Sequence, residues 1–160
     1  MKKLLSLLLI LLLALSWVGF AEGDAPEPEQ YECGDYTYAL LEDGSAEIVK
    51  YNGSALVLVI PAELDGHAVS SIGDKAFIFA GLTSITLPDS LTTLDDYAFS
   101  DCSSLTAVSI PDNLTSISRN AFDGCDRLTL TVPRDSYAKQ YCDEHGLRYI
   151  YPDSNDWLND

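Results

Sequence analysis

The sequence predicts an α/β fold, a short right-handed solenoid of parallel strands with a β-hairpin at its N-terminal end and a helix at its C-terminal end. Three observations carry this. Prolines recur at Pro61, Pro88, Pro111 and Pro133, separated by 27, 23 and 22 residues. Ala-Phe pairs recur at Ala76-Phe77, Ala98-Phe99 and Ala121-Phe122, 22 and 23 residues apart. Between each proline and the next Ala-Phe lies another apolar pair: Val69 with Ile72, Leu91 with Leu94, Leu114 with Ile117. A fixed period in the low twenties marks stacked coils, none of which can bury its apolar side alone.

The elements follow in chain order. Lys2 and Lys3 precede an apolar run from Leu4 to Leu15, and small residues follow at Gly19 and Ala21. This is the pattern of a secretory signal peptide, with cleavage expected after Ala21, so residues 1–21 are set apart from the fold. Residues 22–30, "EGDAPEPEQ", are acidic and proline-bearing and read as a disordered leader. Residues 31–152 form the repeat domain with its caps. "YTYALLEDGSAEIVKY" (36–51) holds two β-prone runs around Asp43-Gly44, a hairpin turn signal, and this hairpin is expected to cover the first coil.

"LTSITLP", "LTAVSIP" and "LTLTVP" are strands of alternating inward apolar residues, expected to pair in parallel from coil to coil. The proline after each ends the ladder because it has no N–H to donate. Each alanine lets the return segment approach closely, and the adjacent phenylalanine fills space between coils. Cys102 and Cys125 hold one repeat position, taken by Ala80 in the coil before. Such a position suits a small buried group better than a ligand. Ser136 to His145 reads as a helix ended by Gly146, with a last strand reaching Pro152. Residues 153–160, "DSNDWLND", form a polar tail.

A fixed period in the low twenties with leucine-type positions signals a leucine-rich repeat solenoid, and the pattern resembles the BspA-like leucine-rich repeat family. Its coils read approximately LxxIxIPxxLxxIxxxAFxxCxxL. The likeness runs from about Tyr36 to Tyr151 and includes the hairpin start and the "YAK…GL" ending. It implies a secreted or surface-borne protein that binds host or neighbouring-cell proteins.

Composition narrows the partners. The full chain has 9 basic and 25 acidic residues, and loss of residues 1–21 removes two lysines and no acid, leaving a net charge of −18. Phosphate backbones and anionic membranes repel such a chain, so nucleic acid is not expected as a partner. No segment after residue 21 is long and apolar enough to span a bilayer, and no membrane insertion is expected after signal cleavage. A monomer is expected.

Few residues suggest chemistry. His67 falls in a loop and His145 near the end of the terminal helix, neither in a metal or triad motif. Cys142 and His145, three apart, make at most half a zinc site, and a core cysteine beside a surface histidine is the preferred reading. Asn52-Gly53-Ser54 and Asn113-Leu114-Thr115 match the glycosylation acceptor pattern, which chance explains in a chain of this kind. Cys102 and Cys125 would stack at ~4.8 Å, a spacing that permits a disulfide but equally suits free thiols in a dry core, the favoured state. Cys33 has no evident partner. No catalytic, cofactor or metal-binding residue is assigned, and no enzyme is expected.

What remains is a surface. Val57 and Val59, Ser84 and Thr86, Ala107 and Ser109, and Thr129 and Thr131 alternate with the inward residues and point outward. This face is small, uncharged and without aromatic anchors. Five strands ~4.8 Å apart and ~17 Å long would present about 400 Å², half of the ~800 Å² that each partner gives to a standard interface. The sequence therefore predicts a non-enzymatic protein-binding or adhesion module, secreted or held at the cell envelope. A purely structural envelope protein is the alternative, and a glycan binder or enzyme the least favoured.

Overall fold

The computed structural model describes residues 28–152, which form twelve short strands and one helix. The assigned signal peptide, most of the leader and the polar tail lie outside the described residues. The strands are β1 (Gln30–Cys33), β2 (Tyr36–Leu40), β3 (Ala46–Tyr51), β4 (Val57–Val59), β5 (Glu63–Leu64), β6 (His67–Ile72), β7 (Ser84–Thr86), β8 (Thr93–Leu94), β9 (Ala107–Ser109), β10 (Ser116–Ile117), β11 (Thr129–Thr131) and β12 (Arg148–Ile150). The helix, α1, spans Tyr137–His145.

Each coil has three sides. The first is the strand before each repeated proline, and these strands form the ladder β4-β7-β9-β11-β12, parallel throughout. The second is the ladder β6-β8-β10, in which Ile72, Leu94 and Ile117 stand in register. Two residues leave no room for a period-two pattern, so the sequence showed β8 and β10 as apolar pairs and not as strands. The third side is the Ala-Phe segment, which is hydrogen-bonded from coil to coil. Phe77 N donates to Ala98 O at 2.8 Å, and Phe99 N donates to Ala121 O at 2.8 Å.

The core lies among the three sides. Ile85, Val108 and Leu130 enter it from the first ladder, Leu91, Leu94 and Leu114 from the second, and Phe77 and Phe99 from the third, all nearly sealed from water. The rings of Tyr51, Phe77, Phe99 and Phe122 stack in sequence at 5.1, 5.0 and 5.5 Å between centroids. The alanine before each phenylalanine allows this: Ala76, Ala98 and Ala121 are buried where a larger side chain would hold the coils apart. At the position two after the phenylalanine the backbone is left-handed, at Phe79, Asp101 and Gly124. A Cβ on Gly124 would come 2.7 Å from Asp101 Oδ1, so close packing as well as φ favours glycine there.

The ends differ from the middle. β2 and β3 form the expected hairpin, turning at Gly44, whose N–H binds Leu41 O at 2.9 Å. The hairpin joins only the second ladder, through the parallel pair β3-β6. β1 adds a third, antiparallel strand that the sequence did not suggest, and it takes in Gln30, placed above in the leader. At the other end Ser136 caps α1 by accepting a bond from Lys139 N at 3.1 Å, and Gly146 ends it with φ 66°. Tyr141 Oη then donates to Ser118 O at 3.1 Å, tying the helix to the chain just after β10.

Candidate functional site

The outward face of the β4-β7-β9-β11-β12 ladder is the candidate site. Its register is strict. Val57, Ser84, Ala107, Thr129 and Arg148 form one row, and Val59, Thr86, Ser109, Thr131 and Ile150 the other. Ser109 stands between Thr86 and Thr131, as the repeat spacing requires. All ten side chains are exposed or half-buried, because the residue between each pair turns inward. Hydroxyl groups just before these strands lace the coils together: Thr83 Oγ1 donates to Leu56 O at 2.9 Å and Thr106 Oγ1 to Thr83 O at 3.0 Å.

Two features depart from expectation. The strands are three residues long, shorter than the ~17 Å expected. The face is accordingly nearer 250 Å² than 400 Å² at about 3.3 Å per residue. It is also not uncharged: the fifth strand brings Arg148, whose Nη2 donates to Asp126 O at 2.9 Å, and Ile150. The "RYIYP" run resembles the earlier strand endings, and that was the available signal for both.

The other residues singled out serve the scaffold. His67 lies on β6, not in a loop, with Nδ1 2.8 Å from Gly44 O. His145 is exposed with Nδ1 2.9 Å from Tyr141 O, while Cys142 is sealed in the core, and burial pushes its thiol up to about 11. The two do not converge on a metal. Among the described residues no three His, Cys, Asp or Glu side chains could hold one. Asn52 and Asn113 spend their amides on Thr37 Oγ1 at 3.1 Å and Asp89 O at 2.9 Å. Cys102 and Cys125 are free thiols, and each donates to the carbonyl of the phenylalanine one coil earlier, Phe77 and Phe99, at 3.1 Å. The adjacent Cys125 thiol, together with burial, pushes the Cys102 thiol up, so it carries no thiolate at neutral pH.

A cleft of about 370 Å³ separates α1 from the last coil, lined among others by Arg119, Asp123, Asp126, Tyr141, His145 and Arg148. Its two arginines are matched in number by its two aspartates.

The three-sided coil, the phenylalanine stack and the two unlike caps can be compared with known proteins. Residues 66–142 match the BspA type leucine rich repeat region, in six copies. The chain carries a BspA-type leucine-rich repeat region. Among solved structures it is similar to a leucine rich cell surface protein from Faecalibacterium prausnitzii, at 36% identity and a TM-score of 0.61, over 67% of this chain and 31% of that one. It is also similar to the leucine rich repeat protein of T. pallidum, at 29% identity and a TM-score of 0.62, over 68% of this chain and 52% of that one. A leucine-rich repeat protein from Bacteroides capillosus shares the fold at 21% identity and a TM-score of 0.50. The BspA-type chain thus spans about a third and about half of the first two structures. No curated protein matches it.

Proposed function

We propose that this BspA-type chain is an exported, non-enzymatic module of the cell envelope that binds a protein partner from a host or neighbouring cell through the outward face of its five-stranded ladder. The observation that carries this is the face itself. Two straight rows, Val57 to Arg148 and Val59 to Ile150, are held in register by a continuous parallel ladder. A backbone so fixed loses little freedom on binding, which favours association.

Leucine-rich repeat proteins generally act as interaction modules and not as enzymes, and one structural neighbour is described as a cell surface protein. The net charge of −18 after signal cleavage favours partners with basic surfaces. The test is a partner screen against host-cell and neighbouring-cell surface proteins with the exported protein as bait. Binding that survives substitution of both rows would move the site elsewhere on the molecule, and the absence of any partner would leave a structural envelope role.

A further inference from the structure

The N-terminal edge of the five-stranded ladder is built unlike the rest of the molecule. Among the described residues β4 pairs with β7 on one side only, and the hairpin that extends the second ladder adds no strand beside it. The bonding parity along β4 is set by two contacts: Ser84 N donates to Leu56 O at 3.3 Å, and Ile60 N donates to Thr86 O at 3.0 Å. In a parallel ladder alternate residues bond to the same neighbour, so Leu56, Leu58 and Ile60 bond toward β7. Val57 and Val59 direct their N–H and C=O groups to the open side.

The side chains at this edge are apolar and uncovered. Leu56 is 63% exposed, Val57 and Val59 68%, and nearby Phe79 72%. Leu58 is only half-buried, whereas its counterparts on the next three rungs, Ile85, Val108 and Leu130, are at most 1% exposed. No charged residue occurs from Tyr51 to Ala62, in a chain with 25 acids. Soluble proteins ordinarily protect such an edge with charge, proline or cover, and here Pro61 bounds it only at its C-terminal end.

We propose that β4 pairs with β4 of a second copy, antiparallel, about a two-fold axis at Leu58. The parity suits this arrangement. Val57 lies opposite Val59 of the second copy and exchanges both backbone bonds with it, and the symmetric pair repeats the exchange, so four hydrogen bonds form. Leu58 then faces Leu58 of the second copy as a non-bonded pair with Cα atoms about 4.5 Å apart, which covers the half-exposed first rung. Cross-strand valines meet on the outer face.

Charge selects this segment. Two copies at −18 repel each other wherever acids face acids, and 51–62 is a stretch where they do not. The covered area, on the order of 400 Å² per copy, is half of the standard ~800 Å², so the dimer is weak and concentration-dependent. Pairing also joins two five-stranded faces into one of ten strands and roughly doubles a surface that is too small alone. The pairing does not depend on the partner-binding reading, and it replaces the monomer expected from the sequence.

Sedimentation equilibrium of the purified protein from about 10 µM to about 1 mM tests it, a span that covers weak association. The average mass should climb from monomer toward dimer with concentration, and more so in about 0.5 M salt than in 0.15 M, because salt screens the repulsion. Val59→Lys places a charge on the edge, and Val59→Pro removes the outward N–H without touching the bonds to β7. Both should stay monomeric, with melting temperatures close to wild type. Ser109→Arg, mid-face, should associate as wild type does. If Val59→Pro fails to fold, Val59→Lys decides alone. A wild-type protein that is monomeric at about 1 mM in both salts overturns the proposal, and so does a Val59→Lys protein that associates undiminished.

Discussion

The ring of Phe99 lies 5.5 Å from that of Phe122, with the planes only 7° apart. It also lies 5.0 Å from the ring of Phe77. Phe99 is therefore the middle of a three-coil stack and is fully buried. Phe99→Ala should cost about 3–5 kcal/mol, since hydrogen-bonded coils on both sides cannot collapse around the lost ring. Leu105→Asp should cost more, by burying an unpaired charge. Urea unfolding measures both. A Phe99→Ala protein that melts within about 2 °C of wild type would show the stack to be unimportant.

The cysteines give a second, opposite expectation. The Cys102 thiol donates to Phe77 O, but that carbonyl also accepts Ala80 N at 3.0 Å. Cys102→Ala should therefore leave no orphaned acceptor and cost about 1 kcal/mol, the typical net value of one hydrogen bond. Cys102 and Cys125 should react with a thiol reagent only after unfolding. An intact mass about 2 Da low, with a Cys102–Cys125 linked peptide, would show instead that the pair is a disulfide.

Glu47 supplies the pH dependence. Burial and the neighbouring Asp95 raise its pKa above the ordinary 4.5, while Ser71 Oγ, 3.4 Å away, opposes the rise. The folded state thus holds this proton more tightly than the unfolded chain does. The stabilisation is fully present below pH 4.5 and is lost as the pH climbs through the raised folded value, so at neutral pH the ionised group is a liability. Glu47→Gln should raise the melting temperature at pH 7 by about 1–3 °C, allowing for partial exposure of the site. It should have little effect at pH 4. Calorimetry at the two pH values checks this, and an equal shift at both would assign the gain to something other than ionisation.

How much of this was legible in the sequence depends on the length of each signal. The Ala-Phe and proline spacings fixed coil boundaries because a solenoid repeats its contacts, and the phenylalanine stack follows directly from them. Ser136 and Gly146 bounded the helix because capping is a local preference. β8 and β10 of the second ladder were not legible, since two-residue strands such as Thr93–Leu94 leave no alternation to detect. β1 was hidden because Gln30 and Glu32 belong to an acidic stretch, and its pairing with β2 is a tertiary fact. On the face itself, the eight residues of the first four strands followed from the repeat, whereas Arg148 and Ile150 lie beyond the helical insertion that breaks the period. That β4 is an open edge could not be read at all, because it depends on which ladder the hairpin joins.

Binding itself is tested at Ser109. This residue is exposed at the middle of the ladder, flanked by Thr86 and Thr131 in register. Both neighbours are short, so Ser109→Arg places a long side chain above the surface with room to remain solvated. Surface changes of this kind shift stability by under about 0.5 kcal/mol, and the melting temperature should not move. Once a partner lies across the face, the arginine must either displace its atoms or lose water without gaining a counter-charge, at a cost of several kcal/mol. The expected result is at least a tenfold loss of affinity, about 1.4 kcal/mol or more, for a partner recovered with the wild-type protein. Titration calorimetry of wild type and variant against that partner measures it. Because Ser109 is remote from β4, self-association should be untouched, which separates loss of partner from loss of dimer. Undiminished affinity in the variant would take the site off the ladder face and onto the caps or the Ala-Phe side of the coils.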